Sequence, residues 1–121
     1  MSSAAKRKKH SIIIVMKNAA VLRLFKKLVA EEGLSNARVY LFGSRARQDC
    51  AKDSDWDFLI VSEKTLSPRK KMDIRRSLSQ KFHNIYFSPV DVIVRDKKTF
   101  SWEKKLLNTI SYAAVTEGMT L

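Results

Sequence analysis

The 121-residue chain contains little of what several common protein classes are built from: one Cys, two Pro and three Gly. Its lone thiol, Cys50, cannot form an internal disulfide, which favours a reducing compartment such as the cytoplasm. The scarcity of Gly and Pro excludes collagen-like and low-complexity chains. The longest apolar run, residues 12–16, is far shorter than the ~20 residues of a membrane-spanning helix. We therefore expect a soluble, cytoplasmic protein with one core and no membrane association.

Acidic residues are also scarce, because 24 Lys and Arg oppose 12 Asp and Glu and give a net charge of +12. Such a charge attracts phosphates, acidic proteins or acidic membranes without distinguishing between them. The basic residues are spread along the chain and do not alternate with aromatic residues, as they do in many nucleic-acid grooves. We interpret most of them as solvated surface. Nucleic acid is not required by this pattern, although a basic nucleic-acid binder stays open as an alternative.

The first part of the chain predicts an arm followed by a long helix. Residues 1–10 are polar and predict a flexible basic arm, and residues 11–121 predict a single domain. Ser11 is a plausible N-cap, and Gly33 follows the last helical position. The apolar stripe of this helix is predicted to consist of Met16, Ala20, Val21, Leu24, Phe25 and Leu28.

The remainder of the chain predicts three strands and two further helices. Short apolar runs predict strands at residues 37–42, 56–61 and 90–94. Ser67 and Pro68 begin a helix, and a last helix is predicted at residues 99–116. Their apolar stripes are predicted to be Ile74, Leu78, Phe82 and Ile85 in the first, and Leu106, Leu107, Ile110 and Ala114 in the second. The order α-β-β-α-β-α indicates an α/β (α+β) domain with a small sheet flanked by helices.

Three acidic residues occupy strand positions where carboxylates are unusual. Asp55 and Asp57 flank Trp56, and strand alternation places both on one face, roughly 6–7 Å apart. Asp91 lies within an apolar run, where an isolated charge would cost several kcal/mol unless it is compensated. If the second and third strands are neighbours, the three carboxylates converge. Because like charges repel, and oxygen ligands favour hard ions, this convergence predicts Mg²⁺ or Mn²⁺.

A second candidate feature follows the first strand directly. Gly43 permits a close approach of the backbone to a phosphate. The free N–H groups at the start of a helical turn would bind that anion, and Ser44 adds a hydroxyl. Arg45 and Arg47 are candidates for further phosphate contacts. A phosphate-binding turn beside carboxylate-held metal ions is what phosphoryl or nucleotidyl transfer requires.

Gly43-Ser44, then ten residues, then Asp55-Trp56-Asp57 resembles the G-S-x10-D-x-D signature of the DNA polymerase β-like nucleotidyltransferase superfamily. The surrounding sequence looks like its minimal nucleotidyltransferase (MNT) branch, over residues 12–118. The resemblance implies the nucleotidyltransferase fold, with a small mixed sheet. This sequence departs from the family pattern at Gln48, where Gly is usual, and at Trp56, where an aliphatic residue is usual. We expect Trp56 to be a packing residue.

The resemblance also implies roles for the site residues. Asp55 and Asp57 would hold two Mg²⁺ ions, and Asp91 would hold the catalytic one beside the attacking hydroxyl. Gly43 and Ser44 would bind the β- and γ-phosphates of ATP. All five positions agree with the family motif, and none of the departures removes a metal ligand.

MNT proteins commonly occur as antitoxins beside a helical HEPN toxin, and some transfer AMP to a toxin tyrosine. The resemblance therefore implies a protein adenylyltransferase with a HEPN-type partner. The alternatives are a non-catalytic module that binds a toxin or a nucleotide, and an adenylyltransferase acting on a small, aminoglycoside-like molecule. The tyrosines of this chain, Tyr40, Tyr86 and Tyr112, are expected to be packing residues rather than modification sites.

Overall fold

The computed structural model describes residues 3–47 and 54–121, with side chains from residue 16 onward in the first helix. The predictions made for Gln48 and Cys50 lie outside these residues. The helices are α1 (Ser3–Glu31), α2 (Gly43–Arg47), α3 (Pro68–Tyr86), α4 (Lys97–Glu103) and α5 (Ile110–Glu117). The strands are β1 (Arg38–Phe42), β2 (Trp56–Ser62) and β3 (Val90–Asp96).

The three strands form one sheet in the order β1-β2-β3. β1 is antiparallel to β2, and β2 is parallel to β3, with α3 connecting the two parallel strands. This arrangement confirms the predicted α/β class, the mixed sheet and the adjacency of the second and third strands. β3 lies at an edge of the sheet, and within it Val92 and Val94 are buried whereas Asp91 is exposed.

Each face of the sheet is covered by a different pair of helices. On one face Phe58 stacks on Phe25 of α1, with ring centroids 3.9 Å apart, and packs edge-on against Phe82 of α3. On the other face Leu59 and Val61 pack with Phe100 of α4 and with α5. Because side chains alternate along a strand, Asp57 belongs to the face covered by α4 and α5. The position of these helices leaves the beginning of β2 less covered than its middle.

The first helix differs from the prediction in both its start and its buried face. It begins at Ser3 rather than after Ser11, so the basic residues 6–9 are helical, and the division of the chain into an arm and a domain stays a prediction. Met16 is 65% exposed, and Ala20 is exposed as well. Val21, Phe25 and Leu28 are buried as predicted, and the buried face is completed by Asn18, Leu22 and Val29.

The prediction of one closing helix at residues 99–116 is wrong. Asn108 has a positive φ of 66°, and Thr109 then caps α5 by accepting a hydrogen bond from the Tyr112 N–H. Both residues interrupt a helix readily, because Asn tolerates the left-handed region and Thr favours N-caps. The predicted stripe is divided accordingly: Leu106 and Leu107 are exposed, whereas Ala114 is buried and Ile110 is partly buried against the same cluster.

The central helix agrees with the sequence at its start. The Ser67 hydroxyl accepts a hydrogen bond from the Lys70 N–H, and Pro68 occupies the first turn. Its buried residues include the predicted Ile74, Leu78 and Phe82, whereas the predicted Ile85 is 47% exposed. Across residues 3–47 and 54–121, no helix is both long and apolar enough to cross a membrane.

Candidate active site

The register of the sheet brings the predicted site residues to one end of it. Phe42, the last residue of β1, pairs with Asp57 of β2, so the next residue, Gly43, begins α2 directly beside that carboxylate. Asp57 in turn pairs with Asp91 of β3. Register partners in a sheet project their side chains from the same face, so Asp57 and Asp91 share a face as predicted. Asp55 lies just before β2 and is exposed.

Gly43 is in contact with the Asp57 carboxylate and has a conformation that other residues adopt at a cost. Its φ is +75°, and a Cβ atom added to it would overlap Oδ2 of Asp57. Glycine is therefore required at this position for two reasons: the left-handed backbone and the space that the carboxylate occupies. The turn predicted to bind phosphate and the strand that bears Asp57 are thus packed against each other.

Burial and neighbouring negative charges both act on the carboxyl group of Asp57. Burial of the half-buried carboxyl raises its pKa above the ordinary value of 3.8, and the negative charges of Asp91 and Asp55 raise that pKa further. The positive charge of Arg47 has the opposite effect and lowers the pKa of Asp57. A bound cation would remove the repulsion among these carboxylates, so the electrostatics of the site fit a metal ion.

The chemistry of the donors fits a hard divalent cation, because Asp55, Asp57 and Asp91 offer only oxygen ligands. Among the residues that the structure describes, no three acidic, His or Cys side chains stand close enough together to form a ready ligand group. Asp91 is also exposed, contrary to the expectation of a burial cost, because it lies at the beginning of β3, where the face that it shares with Asp57 is less covered by α4 and α5 than the middle of the sheet. The side chains of Asp55 and Asp91 therefore have solvent into which to turn, and their joint coordination of an ion stays a prediction.

Arg45, which the sequence suggested as a phosphate ligand, is buried in the structure. Its Nε and Nη2 atoms donate hydrogen bonds to the carbonyl of Ser54 at 3.1 and 2.8 Å. Its Cζ atom lies 4.3 Å from the centroid of the Trp56 ring, which confirms the packing role expected for that residue. These contacts fix the segment that enters β2, so Arg45 positions Asp55 and Asp57.

Sequence analysis did not identify Asn18, which connects α1 to the site. Its buried Nδ2 donates a hydrogen bond of 2.9 Å to the carbonyl of Arg45, one of the last carbonyls of the short helix α2. An unpaired amide at this depth would cost about 1–3 kcal/mol, so the partner explains why a polar residue is tolerated here. The signal was present in the sequence, because Asn18 falls on the helical series of Val21, Leu22 and Phe25.

Arg47 and Ser44 are more accessible than Arg45. Arg47 is exposed and forms an ion pair of 3.2 Å with Glu117 of α5, and its charge acts on Asp57. Ser44 is half-buried in the first turn of α2. Of the two predicted arginines, Arg47 is the one whose side chain is exposed, and its contact with phosphate stays a prediction.

Replacing Arg45 by Lys is expected to lower the free energy of unfolding by about 1–2 kcal/mol. Lysine keeps the charge but cannot make two parallel hydrogen bonds to Ser54 while covering the Trp56 ring. Urea denaturation measures the change. Arg23→Lys on the exposed side of α1 is the matched control and should change stability by less than about 0.5 kcal/mol. Equal effects of the two substitutions would show that the Arg45 contacts do not stabilise the site.

A family model described as polymerase beta nucleotidyltransferase matches residues 25–111, more than half of the chain. No curated protein sequence matches this chain. Among solved structures, a crystal structure of a toxin-antitoxin with AMP-PNP aligns with a TM-score of 0.53 at 23% identity, over 78% of this chain and 66% of that chain. The aligned part of this chain thus spans slightly less than two thirds of the length of that toxin-antitoxin chain.

Two further structures are similar. A protein from Shewanella oneidensis aligns with a TM-score of 0.51 at 19% identity, covering 86% of this chain and 71% of the other. A candidate nucleotidyltransferase from Sulfolobus solfataricus aligns with a TM-score of 0.50 at 26% identity, covering 88% and 84%. The fold is the one these proteins share, and the family match spans the turn at Gly43 and all three aspartates. The chain belongs to the polymerase beta nucleotidyltransferase family.

Proposed function

We propose that this protein is a metal-dependent nucleotidyltransferase that moves AMP from ATP onto a hydroxyl of a partner protein in the cytoplasm, and that the partner is a HEPN-type toxin. One observation carries the proposal: the carboxylate of Asp57 is packed against Gly43 and in register with Asp91. A turn suited to phosphate and two carboxylates suited to metal ions are thereby held at one end of the sheet.

The chain's own groups offer three kinds of contact for a triphosphate at this end. Gly43 has no side chain, so the backbone N–H groups at the start of α2 approach phosphate oxygens closely, and the Ser44 hydroxyl donates a further hydrogen bond. Arg47 adds a positive charge near the carboxylates. The proposed position of the β- and γ-phosphates is therefore over the first turn of α2.

Asp55, Asp57 and Asp91 would hold two Mg²⁺ or Mn²⁺ ions. When bound, these ions would supply charge neutralisation for the triphosphate and a lower pKa for the acceptor hydroxyl. Asp57 is half-buried and fixed by Gly43, so it orients the site, whereas the exposed Asp91 faces the space open to an acceptor. The acceptor oxygen forms a bond to the α-phosphorus, the bond to the bridging oxygen breaks, pyrophosphate leaves and the hydroxyl proton passes to solvent.

A protein acceptor is supported by two observations. The chain's fold resembles that of a toxin-antitoxin structure containing AMP-PNP. A net charge of +12 also favours association with an acidic partner surface. The HEPN toxin is proposed on the MNT-like sequence around the G-S and D-x-D motifs.

The test is a labelling reaction with the full chain, Mg²⁺ and a HEPN protein encoded beside it. Label from α-³²P-ATP should appear on the partner and label from γ-³²P-ATP should not, because the transferred group is AMP. Intact mass should show one or more added AMP units, and EDTA should reduce labelling to background. Parallel reactions with CTP, GTP and UTP define the preference for the base.

The alternatives predict different results. Labelling of an aminoglycoside but not of the protein would identify a small-molecule adenylyltransferase. ATP binding without any labelled acceptor would favour a binding module. Tight binding of nucleic acid, with log K falling by several units per decade of salt, would favour a nucleic-acid binder.

A further inference from the structure

The end of α4 and the turn that follows it present three large apolar side chains to solvent. Trp102 is 69% exposed, and Leu106 and Leu107 are 39% and 71% exposed. Within the described part of the chain, the indole ring of Trp102 makes no hydrogen bond and contacts no other aromatic ring. We call these three residues the apolar turn. Large apolar side chains exposed together, unlike scattered single ones, are typical of a surface that binds another molecule.

Hydrogen bonds hold this turn without any burial of its leucines. The Leu106 N–H donates to the carbonyl of Glu103 at 2.8 Å. The Thr109 hydroxyl lies 2.8 and 2.9 Å from the carbonyl oxygens of Glu103 and Leu106. Because the backbone is already ordered, little conformational entropy is lost when a partner covers the apolar side chains.

Positive charges flank the apolar turn. Lys98 precedes Trp102 by one helical turn, and Lys104 and Lys105 lie between Trp102 and Leu106. None of the three lysines belongs to an ion pair found in residues 3–47 and 54–121. A partner that covers the apolar turn therefore brings its own rim close to uncompensated positive charge, which favours Asp and Glu on that rim.

A cavity of about 140 Å³ beside α4 adds to this preference for acidic groups. Arg38 of β1, Lys97 and Lys104 are among the residues that line it. Lys97 is paired with Glu63 at 3.3 Å, whereas Arg38 belongs to no ion pair within the part of the chain that the structure describes. At ~30 Å³ per water molecule, this volume is large enough for one carboxylate of a partner.

The apolar turn lies on the same side of the sheet as the candidate active site. Nε of Arg95 in β3 donates to Oε1 of Glu103 in α4 at 3.1 Å, which ties the end of α4 to this strand. Because side chains alternate along a strand, Asp91 and Arg95 project from one face, roughly 13 Å apart. A small folded domain is about 30 Å across, so a partner seated on the apolar turn can reach Asp91.

We infer that the protein acceptor of AMP docks on the apolar turn, with an apolar pocket for Trp102 that is rimmed by Asp and Glu. The inference rests on the proposed function and locates the surface that binds its acceptor. Trp is among the residue types that most often dominate the energy of a protein interface. Between residues 97 and 110, Trp102 is the one exposed aromatic side chain, so the turn lacks the succession of stacking surfaces typical of nucleic-acid binding.

Binding of the full chain to the HEPN protein encoded beside it, measured by calorimetry without ATP, tests this surface apart from transfer. Trp102→Ala is expected to weaken binding roughly thirty-fold or more. The double substitution Lys104→Glu with Lys105→Glu should weaken it about ten-fold. With 5-fluorotryptophan in the chain, the ¹⁹F resonance of Trp102 should shift on binding, whereas that of Trp56, which is 2% exposed, should not.

The matched controls lie on α3, which covers the opposite face of the sheet. Met72→Ala shortens an apolar side chain that is 51% exposed, and Arg69→Glu with Lys70→Glu makes the same charge change as the lysine variant. Both should leave the affinity within about two-fold of the wild type. Unchanged affinity in Trp102→Ala, equal losses in the controls, an unshifted Trp102 resonance or no binding by the wild type would overturn the inference.

The transfer reaction separates this inference from the proposed function. If both hold, Trp102→Ala raises KM for the partner about as much as it weakens binding and leaves kcat within about two-fold. Binding that is lost in Trp102→Ala, without AMP transfer by the wild type, supports the docking surface and contradicts the proposed function. AMP transfer with an unchanged KM in Trp102→Ala supports the function and overturns the docking surface.

A membrane surface is tested with vesicles. Sedimentation of the chain with vesicles that contain phosphatidylserine, lost in Trp102→Ala while binding to the HEPN protein is kept, would assign the apolar turn to anionic lipid and overturn the inference.

Discussion

Asp57→Asn is expected to lower AMP transfer by roughly a thousand-fold or more, because it removes the carboxylate that lies between the phosphate turn and Asp91. An amide retains the shape of the side chain but lacks the charge that holds a divalent cation. The initial rate of partner labelling from α-³²P-ATP measures the loss. Asp73→Asn, an exposed carboxylate on α3, is the control and should leave the rate within two-fold, roughly the scatter of surface substitutions.

The same variant has a readout that does not depend on catalysis. Because the pKa of Asp57 is raised in the folded state, the folded protein binds a proton more tightly than the unfolded chain does. In metal-free buffer, the stability contributed by this group is complete below pH 3.8 and falls as the pH rises through the folded pKa. Asp57→Asn should remove that fall, making the variant more stable than the wild type at neutral pH but not in acid. A variant with full activity, or with an unchanged pH profile, would contradict the role of Asp57.

Gly43→Ala is expected to lower the free energy of unfolding by about 1–3 kcal/mol and transfer by roughly a hundred-fold. Alanine at a φ of +75° is strained, and its Cβ displaces the Asp57 carboxylate from its position. Urea denaturation measures the first effect, and the rate of labelling at a temperature where the variant is folded measures the second.

The chain provides a matched control for this substitution. Gly33 has a similar φ of +82°, but a Cβ there would meet no atom within 4 Å. Gly33→Ala should therefore show the backbone strain alone, about 1 kcal/mol, with normal transfer. If the two variants retain the same activity, the contact between Gly43 and Asp57 does not matter for catalysis.

Local patterns predicted the strands and some helix boundaries because their signals lie in neighbouring residues. Short apolar runs located all three strands within two residues at each end, and Ser67-Pro68 located the start of α3. The break before α5 was equally local, since Asn108 and Thr109 mark it, but the apolar spacing across it concealed the signal. The face that α1 buries was predicted in part, since Val21, Phe25 and Leu28 are buried, but Asn18 was missed because it is polar and its partner lies in α2.

Some properties of the site residues were likewise predictable from neighbouring residues, and others depend on distant contacts. The sequence predicted a glycine turn and three carboxylates, and their spacing identified the family. It did not predict that Arg45 is buried under the chain entering β2, because its partners are a backbone carbonyl and an aromatic ring rather than an ion. Nor did it predict the exposure of Asp91, since the part of a strand that helices cover depends on how separate elements pack.

The amino-acid order alone determined which chemical groups this protein has and how far apart they are along the chain: Gly43 and Ser44, the aspartate pair around Trp56, and Asp91. Only the tertiary structure decided which of these groups meet, because register across the sheet is set by packing on both of its faces. That register places Asp57 against Gly43 and beside Asp91.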